Sequence, residues 1–315
     1  MDVKALLGRH PRWLAHLEAL APADLDLPAP GELPVELLRL AVPHEDVNAV
    51  VAARPEPGSP QWWLAERCVA SLASTMGDLD GPPPFRPMPE LGPYFYVYVF
   101  LAALPHTRRY HRERGIPEEV SWATFTDLGR VMAAHRRRHG GPGVHAPHWL
   151  MLHARGILYD LGRLQFNRAR LDGPTGEAIR ADGGPAGPGD ALLGVHVPDF
   201  RGPLTPEACT ESFARARRFF PRHFPEERPR VMTCGSWLLD EQLARYLPPG
   251  SRILDFQRRF RPLHRFDDAD LLGFVFGASG TDPARLPRRT RLERAIADHL
   301  AAGGTWHGRV GWLPF

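Results

Sequence analysis

Residues 192–246 read LLGVHVPDFRGPLTPEACTESFARARRFFPRHFPEERPRVMTCGSWLLDEQLARY, and this stretch changes its hydrophobic period three times. Leu192 to Val197 is an apolar run of strand length, interrupted only by His196. Pro198 to Pro206 carries three prolines and Gly202, which is turn chemistry. Glu207 to Phe220 then places Ala208, Phe213, Ala216 and Phe220 at helical spacing. Arg230 to Trp237 returns to strand character. Asp240 is placed to open a further helix that ends near Tyr246 and Pro248. Strand, crossover helix and strand form a βαβ unit, whose two strands are expected to run parallel. The edge between such strands is a natural ligand site.

The segments on either side differ from each other. Residues 1–145 read as helical: Val3 to Leu20, Val35 to Ala41, Glu45 to Ala53, Gln61 to Met76 and Tyr94 to Arg114 all show apolar residues at helical intervals. Ser59 and Ser71 are cap or polar-face candidates. A further helix opens near Pro117-Glu118-Glu119 and stops at Gly140. After Pro147 the pattern becomes mixed. Leu161 to Leu171 alternates as a half-buried strand does, with Gly156 to Asp160 as its hairpin partner. Asp172 to Asp190, rich in glycine and proline, reads as a hairpin tip or linker. Ile253 to Phe260 and Leu271 to Phe276 read as two strands, separated by charges around Asp267-Asp268. Thr290 and Glu293 match a capping box, and Gly308 to Phe315 reads as a closing strand. The expectation is an α+β chain: an all-helical domain at 1–145, then a mixed β-sheet domain with flanking helices at 146–315.

Composition narrows the function classes. A chain of 315 residues with 43% hydrophobic and 24% charged residues can bury real cores. The formal charge of +3 is small for that length and gives no nucleic-acid footprint. Lys4 is the only lysine, so the basic side is almost wholly arginine, as GC-rich, actinobacterial-type codon usage produces. Cys68, Cys209 and Cys234 are scattered and odd in number, which excludes a disulfide framework and fits a reducing cytoplasm. The N-terminus lacks the apolar core of a signal peptide, and the Tyr94–Leu104 run is too short to span a membrane. No nucleic acid, membrane or metal is therefore expected. His135 and His139 stand four apart on a helix, with His145, His148 and His153 beyond. No glutamate follows in metal-ligand spacing, and Arg136-Arg137-Arg138 repel a cation, so a solvated basic helix end is the expectation.

The segments LGRLQFNRAR, GVHVPDFRGPLTPE, CGSWLLDEQL and LPRRTRLERAI, with the terminal G-x-x-W, resemble the GNAT-like acyltransferase-domain proteins of actinobacterial type. In that family a helical N-terminal domain precedes a GNAT-like acyltransferase domain. The resemblance implies transfer of an acyl group from a thioester donor, acyl-CoA or a phosphopantetheine-linked carrier, to an amine of a small molecule or peptide. A non-catalytic GNAT-like module binding an acyl thioester or a protein partner is the alternative. One departure is plain. Family members carry a Q/R-x-x-G-x-G/A diphosphate loop where this chain has Asp199-Phe200-Arg201-Gly202-Pro203-Leu204-Thr205. One glycine stands where two are usual, and proline removes backbone donors that would cradle phosphate. That pattern favours a thioester donor such as an acidic acyl carrier protein, which the basic 135–139 helix end would suit.

By position, the resemblance puts the thioester arm between Gly194–Val197 and Val231–Ser236. The backbone around Val195, Val197, Gly235 and Ser236 would hold it, with Asp199, Arg201 and Gly202 in the phosphate loop. His196 is the first candidate for the base, since imidazole titrates near working pH; a hydrogen-bonded core histidine is the structural reading of the same residue. Cys234 is a nucleophile candidate that also fits a core filler. Tyr246 occupies the place of the tyrosine that protonates the leaving thiolate in relatives. The aromatic run Tyr94–Phe100 is expected in a core or interface, or lining a channel for an acyl chain.

Overall fold

The computed structural model describes residues 3–267, 271–277 and 282–315; Asp268 of the expected acidic spacer lies outside them. The chain divides into two compact units, residues 1–159 and 160–315.

The first unit is helical: α1 (Val3–Leu7), α2 (Pro11–Ala19), α3 (Leu33–Arg39), α4 (Val47–Ala52), α5 (Pro60–Ser74), α6 (Phe95–Glu113), α7 (Glu118–Phe125), α8 (Asp127–His139) and α9 (Pro147–Ala154). The starts and stops follow local chemistry. Ser59 caps α5 by accepting a hydrogen bond from the Trp62 amide at 3.1 Å, and Gly140 ends α8 in the left-handed region at φ 74°. Ser71 is no cap; it is buried and bonded to His16 Nε2 at 2.8 Å. Every residue from Phe95 to Ala103 is buried, so α6 is apolar on all sides and forms the spine of this core.

One polar network crosses that core. Asp127, 3% exposed, accepts from Arg130 Nε at 2.8 Å and from Trp149 Nε1 at 2.9 Å, and faces His153 Nε2 at 3.0 Å. Burial alone would raise the Asp127 pKa; His153 and Arg130 outweigh it and hold the carboxyl well below the usual carboxylate range.

The second unit is built on a six-stranded sheet ordered β1-β2-β3-β4-β6-β5. Its strands are β1 (Leu158–Asp160), β2 (Gln165–Arg170), β3 (Ala191–His196), β4 (Val231–Ser236), β5 (Arg261–Phe266) and β6 (Gly308–Pro314). Helices α10 (Gly173–Ala181), α11 (Pro206–His223), α12 (Arg252–Gln257), α13 (Leu271–Phe276) and α14 (Arg291–Ala301) flank it. β3 and β4 are parallel and joined by α11, as the βαβ reading requires. α11 buries Cys209, Phe213, Ala216, Phe219 and Phe220 along one face. Phe213 and Phe220 meet Phe166 of β2 at ring separations of 5.8 and 6.4 Å, and each ring so buried contributes roughly 2 to 3 kcal/mol.

Three sequence expectations fail here, each for a local reason. Residues 173–181 are a helix and not a linker, because Asp172 caps the Thr175 amide at 2.7 Å and Ile179 is buried against Leu192, Val231 and Trp312. Ile253–Phe260 is not a strand: α12 occupies its first part, supported by the i,i+3 pair Asp255–Arg258. Leu271–Phe276 is a helix too, with Leu271 in a cluster with Leu247 and Ile296. Short apolar runs do not reveal their period. The strand in that region is β5, a charged and mostly exposed edge strand containing Pro262 and held through the β6 ladder. The capping box at Thr290 and Glu293 forms as expected.

Asp127→Asn should cost the helical unit about 3 kcal/mol in chemical denaturation, as breaking a buried pair does. Because the folded carboxyl titrates below its unfolded value, its contribution is full above the ordinary carboxylate range and is lost as pH falls through and below it. The variant should lose that part of the acid sensitivity.

Candidate active site

The parallel ladder between β3 and β4 is short. It runs from Leu192↔Val231 to Gly194↔Thr233 and stops. Both strands continue. β3 stays paired with β2 as far as His196↔Gln165, and β4 stays paired with β6 as far as Ser236↔Arg309. The two strands therefore part after Gly194 and Thr233, each held from its outer side. The facing backbone of 195–197 and 234–236 lines the opening, where an extended thioester arm can add hydrogen bonds.

Cross-strand partners share a sheet face, so Gln165, Asn167, Gly194, His196, Thr233 and Gly235 lie on one face. Phe166, Val195 and Cys234 lie on the other, which α11 covers. His196 is half-buried at the end of β3, and its Nε2 stands 2.7 Å from Asn167 Oδ1. The Asn167 amide nitrogen donates to the Arg168 carbonyl at 3.2 Å, which leaves Oδ1 as the atom facing the imidazole. An amide oxygen only accepts, so Nε2 carries the proton and Nδ1 bears the lone pair.

Gly194 makes this pairing possible. A Cβ there would lie 2.0 Å from Asn167 Oδ1 and 3.3 Å from His196 Nε2. Only a residue without a side chain lets the asparagine cross β3 to reach a histidine two positions on. Asn167 was not singled out in the sequence. The alternation of LQFNRAR puts it on a defined face, but its partner depends on the β2–β3 register.

The remaining candidates fall into separate places. Cys234 is 2% exposed, and burial pushes its thiol up to about 12; it is a protonated core thiol on the face under α11. Ser236 accepts from the Leu238 amide at 3.1 Å and starts the turn after β4. Asp240, 1% exposed, clamps that turn to the chain before β6 through the Gln242 and His307 amides at 3.0 and 2.9 Å. The segment after it, Glu241–Arg245, is 3-10 in form. Tyr246 lies at its end with its hydroxyl 2.8 Å from His299 Nδ1, packed among Trp237, Trp306 and Leu243. His299 Nε2 faces the Thr305 carbonyl at 3.2 Å, so Nε2 donates there and Nδ1 accepts the hydrogen bond of the tyrosine hydroxyl.

The loop between β3 and α11 is lined with guanidinium groups. Arg201 ties it to the β1–β2 turn, bonding Asp160 and, at 3.0 Å, the Gly162 carbonyl. Arg163 donates to the Pro198 carbonyl at 3.2 Å, while its Nε is buried without a partner and burial lowers its pKa. Arg259 donates to the Pro206 carbonyl at 2.8 Å and to Thr210 Oγ1 at 3.0 Å. Arg259 stands at the first turn of α11, which Thr205 caps at the Ala208 amide, with Arg163 also near Cys209 of that helix, while Arg201 holds the loop before it. Positive charge and an aligned helix dipole thus converge there.

In the helical unit, Tyr94, Phe95 and Tyr98 line a cavity of about 240 Å³ together with Arg54, Gln61 and Leu91. His135, His139 and His145 cluster with ring separations of 4.5 to 6.2 Å. Burial, with Arg138 beside it, takes His145 down to about 4. Among the described residues no three histidines, cysteines or acids are arranged to hold a metal. Nor, among them, is any helix long and apolar enough to cross a membrane.

A mixed sheet whose central parallel strands part beside a polar histidine, with a helix N-terminus following, defines a GNAT-like acyltransferase frame. The comparisons with known proteins agree. Residues 158–313 match the model of the GNAT-like C-terminal domain, and residues 31–156 match that of the N-acyltransferase N-terminal domain. An acyltransferase solved with decanoyl-CoA and teicoplanin is 41% identical, with a TM-score of 0.87 over 100% of this chain and 99% of that one. A mutant acyltransferase solved with octanoyl-CoA is also 41% identical, with a TM-score of 0.88 over 100% of both chains. A third structure, of an acyltransferase with CoA and 10C-teicoplanin, is 41% identical, with a TM-score of 0.87 over 100% of this chain and 99% of that one. No curated protein matched. The chain belongs to the GNAT-like N-acyltransferases. It is an enzyme that moves an acyl group from a thioester donor to an amine, and the catalytic reading prevails over a binding module.

Asn167→Asp places a carboxylate against His196 and should raise its pKa, since a nearby negative charge favours imidazolium. An NMR titration of the His196 ring should therefore show its midpoint move to higher pH in Asn167→Asp and no such rise in Asn167→Ala.

Proposed function

We propose that this acyltransferase takes its acyl group from a medium-chain acyl-CoA and delivers it to an amine of a glycopeptide-like acceptor. The observation that carries this reading is the parting of β3 and β4 beside the Asn167–His196 pair. The relatives solved with decanoyl-CoA, octanoyl-CoA and teicoplanin support the donor and acceptor classes. The proline-rich loop, poor in backbone donors, fits CoA because arginine side chains take over the anion-binding task. Arg163, with its unpartnered buried Nε, and Arg259 stand beside the α11 N-terminus, where a diphosphate would meet both charge and dipole.

The chemistry needs few parts. The amine attacks the thioester carbonyl carbon, a C–N bond forms, and His196 Nδ1 accepts the proton that the nitrogen must lose. Backbone N–H groups at the strand opening stabilise the oxyanion. The C–S bond then breaks, and the imidazolium returns its proton to the departing thiolate, so amide and free thiol are formed with no net proton change. In this scheme Tyr246, whose hydroxyl is committed to His299, holds the 241–246 turn against α14 rather than acting as the acid. Cys234 stays outside the reaction as a buried thiol. Three buried, unpaired cysteines fit the reducing cytoplasm as the working compartment. An acyl carrier protein as donor is the competing source of the same thioester, and acylated carrier belongs in the same assay.

His196→Ala should lower kcat roughly a hundred- to ten-thousandfold while decanoyl-CoA still binds in calorimetry. Tyr246→Phe should leave kcat within about twofold, because it removes no group that changes between ground and transition state. Loss of donor binding in the histidine variant, or a collapse of kcat in the tyrosine variant, would contradict these roles.

A further inference from the structure

Helix α10 covers one end of the sheet face that carries His196, where Ile179 packs against Leu192, Val231 and Trp312. Further along the strands the same face forms a shelf of Gly235 from β4, Val310 and Gly308 from β6 and Phe266 from β5, because cross-strand partners share a face. Gly235 is exposed, Val310 is half-buried, and the Phe266 side chain is 37% exposed. Two glycines let the Phe266 ring lie down on the strands. A Cβ on its cross-strand partner Gly308 would stand 2.2 Å from the ring, and one on Gly235 would stand 3.7 Å from its edge. The ring therefore crosses β6 and reaches β4. Gly235 and His196 each stand two residues beyond the last ladder pair, Thr233 and Gly194, so they face each other across the strand opening. The imidazole turns over Gly194 on this same face. The charged neighbours Arg265 and Arg309 alternate to the other face and are paired with Glu241.

We propose that the shelf between His196 and Phe266 seats the acceptor, with the Phe266 ring stacked on an aromatic ring of the molecule that brings the amine. The inference rests on the acyl-transfer reading above and names the side from which the acceptor enters. The thioester arm occupies the opening within the sheet, and the anionic end of the donor lies toward α11, which covers the opposite face. An amine attacks a thioester carbonyl from above its plane, and its proton passes to His196, which lies on the Phe266 side. The body of the acceptor is thereby directed over Gly235 and onto the shelf. A floor of two glycines, a valine and one aromatic ring offers no partner for a charged group and a flat surface for a ring. A glycopeptide rich in aromatic rings has that chemistry. Phe266 takes no part in bond making; it sets which amine is held beside the base.

The test measures KM separately for decanoyl-CoA and for a teicoplanin-type glycopeptide with a free amine. Phe266→Ala should raise KM for the glycopeptide roughly tenfold, the upper end of what one ring pair contributes, with kcat at saturating acceptor and KM for decanoyl-CoA unchanged. Phe266→Tyr should retain the wild-type values. Phe266→Leu, which keeps apolar bulk over Gly308 without a ring face, should hold the wild-type melting temperature and show the same selective loss, which separates stacking from folding. A rise in KM for decanoyl-CoA instead would assign the ring to the acyl chain and overturn the proposal, as would no change for the glycopeptide. Failure of the wild-type protein to acylate the glycopeptide would overturn the acceptor class proposed above, and phenethylamine and n-butylamine then test the shelf. A wild-type preference for phenethylamine that Phe266→Ala abolishes would support it, and equal use of both amines by wild type would overturn it.

Discussion

The parting of β3 from β4 is the feature on which the site depends, and it is stable because each strand has a second neighbour. A strand that loses its ladder on one side exposes backbone donors and acceptors, which is costly in a dry core. Here β2 continues to hold β3, and β6 continues to hold β4, beyond the last shared pair at Gly194 and Thr233. The opening therefore presents ordered backbone groups without unravelling the sheet. The placement of β6 between β4 and β5 matters for the same reason: the chain's last strand closes the outer side of the cleft.

Around that opening, the chain replaces backbone chemistry with side-chain chemistry. Pro198, Pro203 and Pro206 stiffen the β3–α11 loop but give up amide donors. Arginines 163, 201 and 259 restore positive charge from three different elements, and Arg201 in addition pins the loop through buried Asp160. A loop so tied pre-organises the helix terminus behind it, which reduces the ordering cost of binding a charged donor. His196 is organised by the same economy of means. One glycine in β3 opens the space through which an asparagine from β2 fixes the imidazole.

Much of the fold was legible in the sequence, and the failures share a cause. The βαβ unit could be read because Leu192–Val197, the Phe213–Phe220 face and Arg230–Trp237 each carry their own period. His196 stood out as a polar residue in an apolar strand, and Thr290 with Glu293 announced the last helix. Asn167 could not be read, because its role exists only in the register that sets it opposite Gly194. Arg163 could not be read because its partner Pro198 is distant in the chain. α10, α12 and α13 were misread where burial of single residues such as Ile179 and Leu271 decided the conformation over local composition. β5 was missed because an edge strand needs no apolar face. Local signals located the elements; contacts across the sheet made the site.

The orientation of the His196 imidazole is the most direct test of this arrangement. Long-range proton–nitrogen NMR on protein labelled with nitrogen-15 at histidine, with His196→Gln for assignment, would report which ring nitrogen carries the proton above the titration range. A neutral ring protonated at Nε2, converting in Asn167→Ala to a mixture of tautomers, is the expected result. A wild-type ring protonated at Nδ1 would mean that the asparagine does not orient the imidazole, and would contradict the proposed proton route.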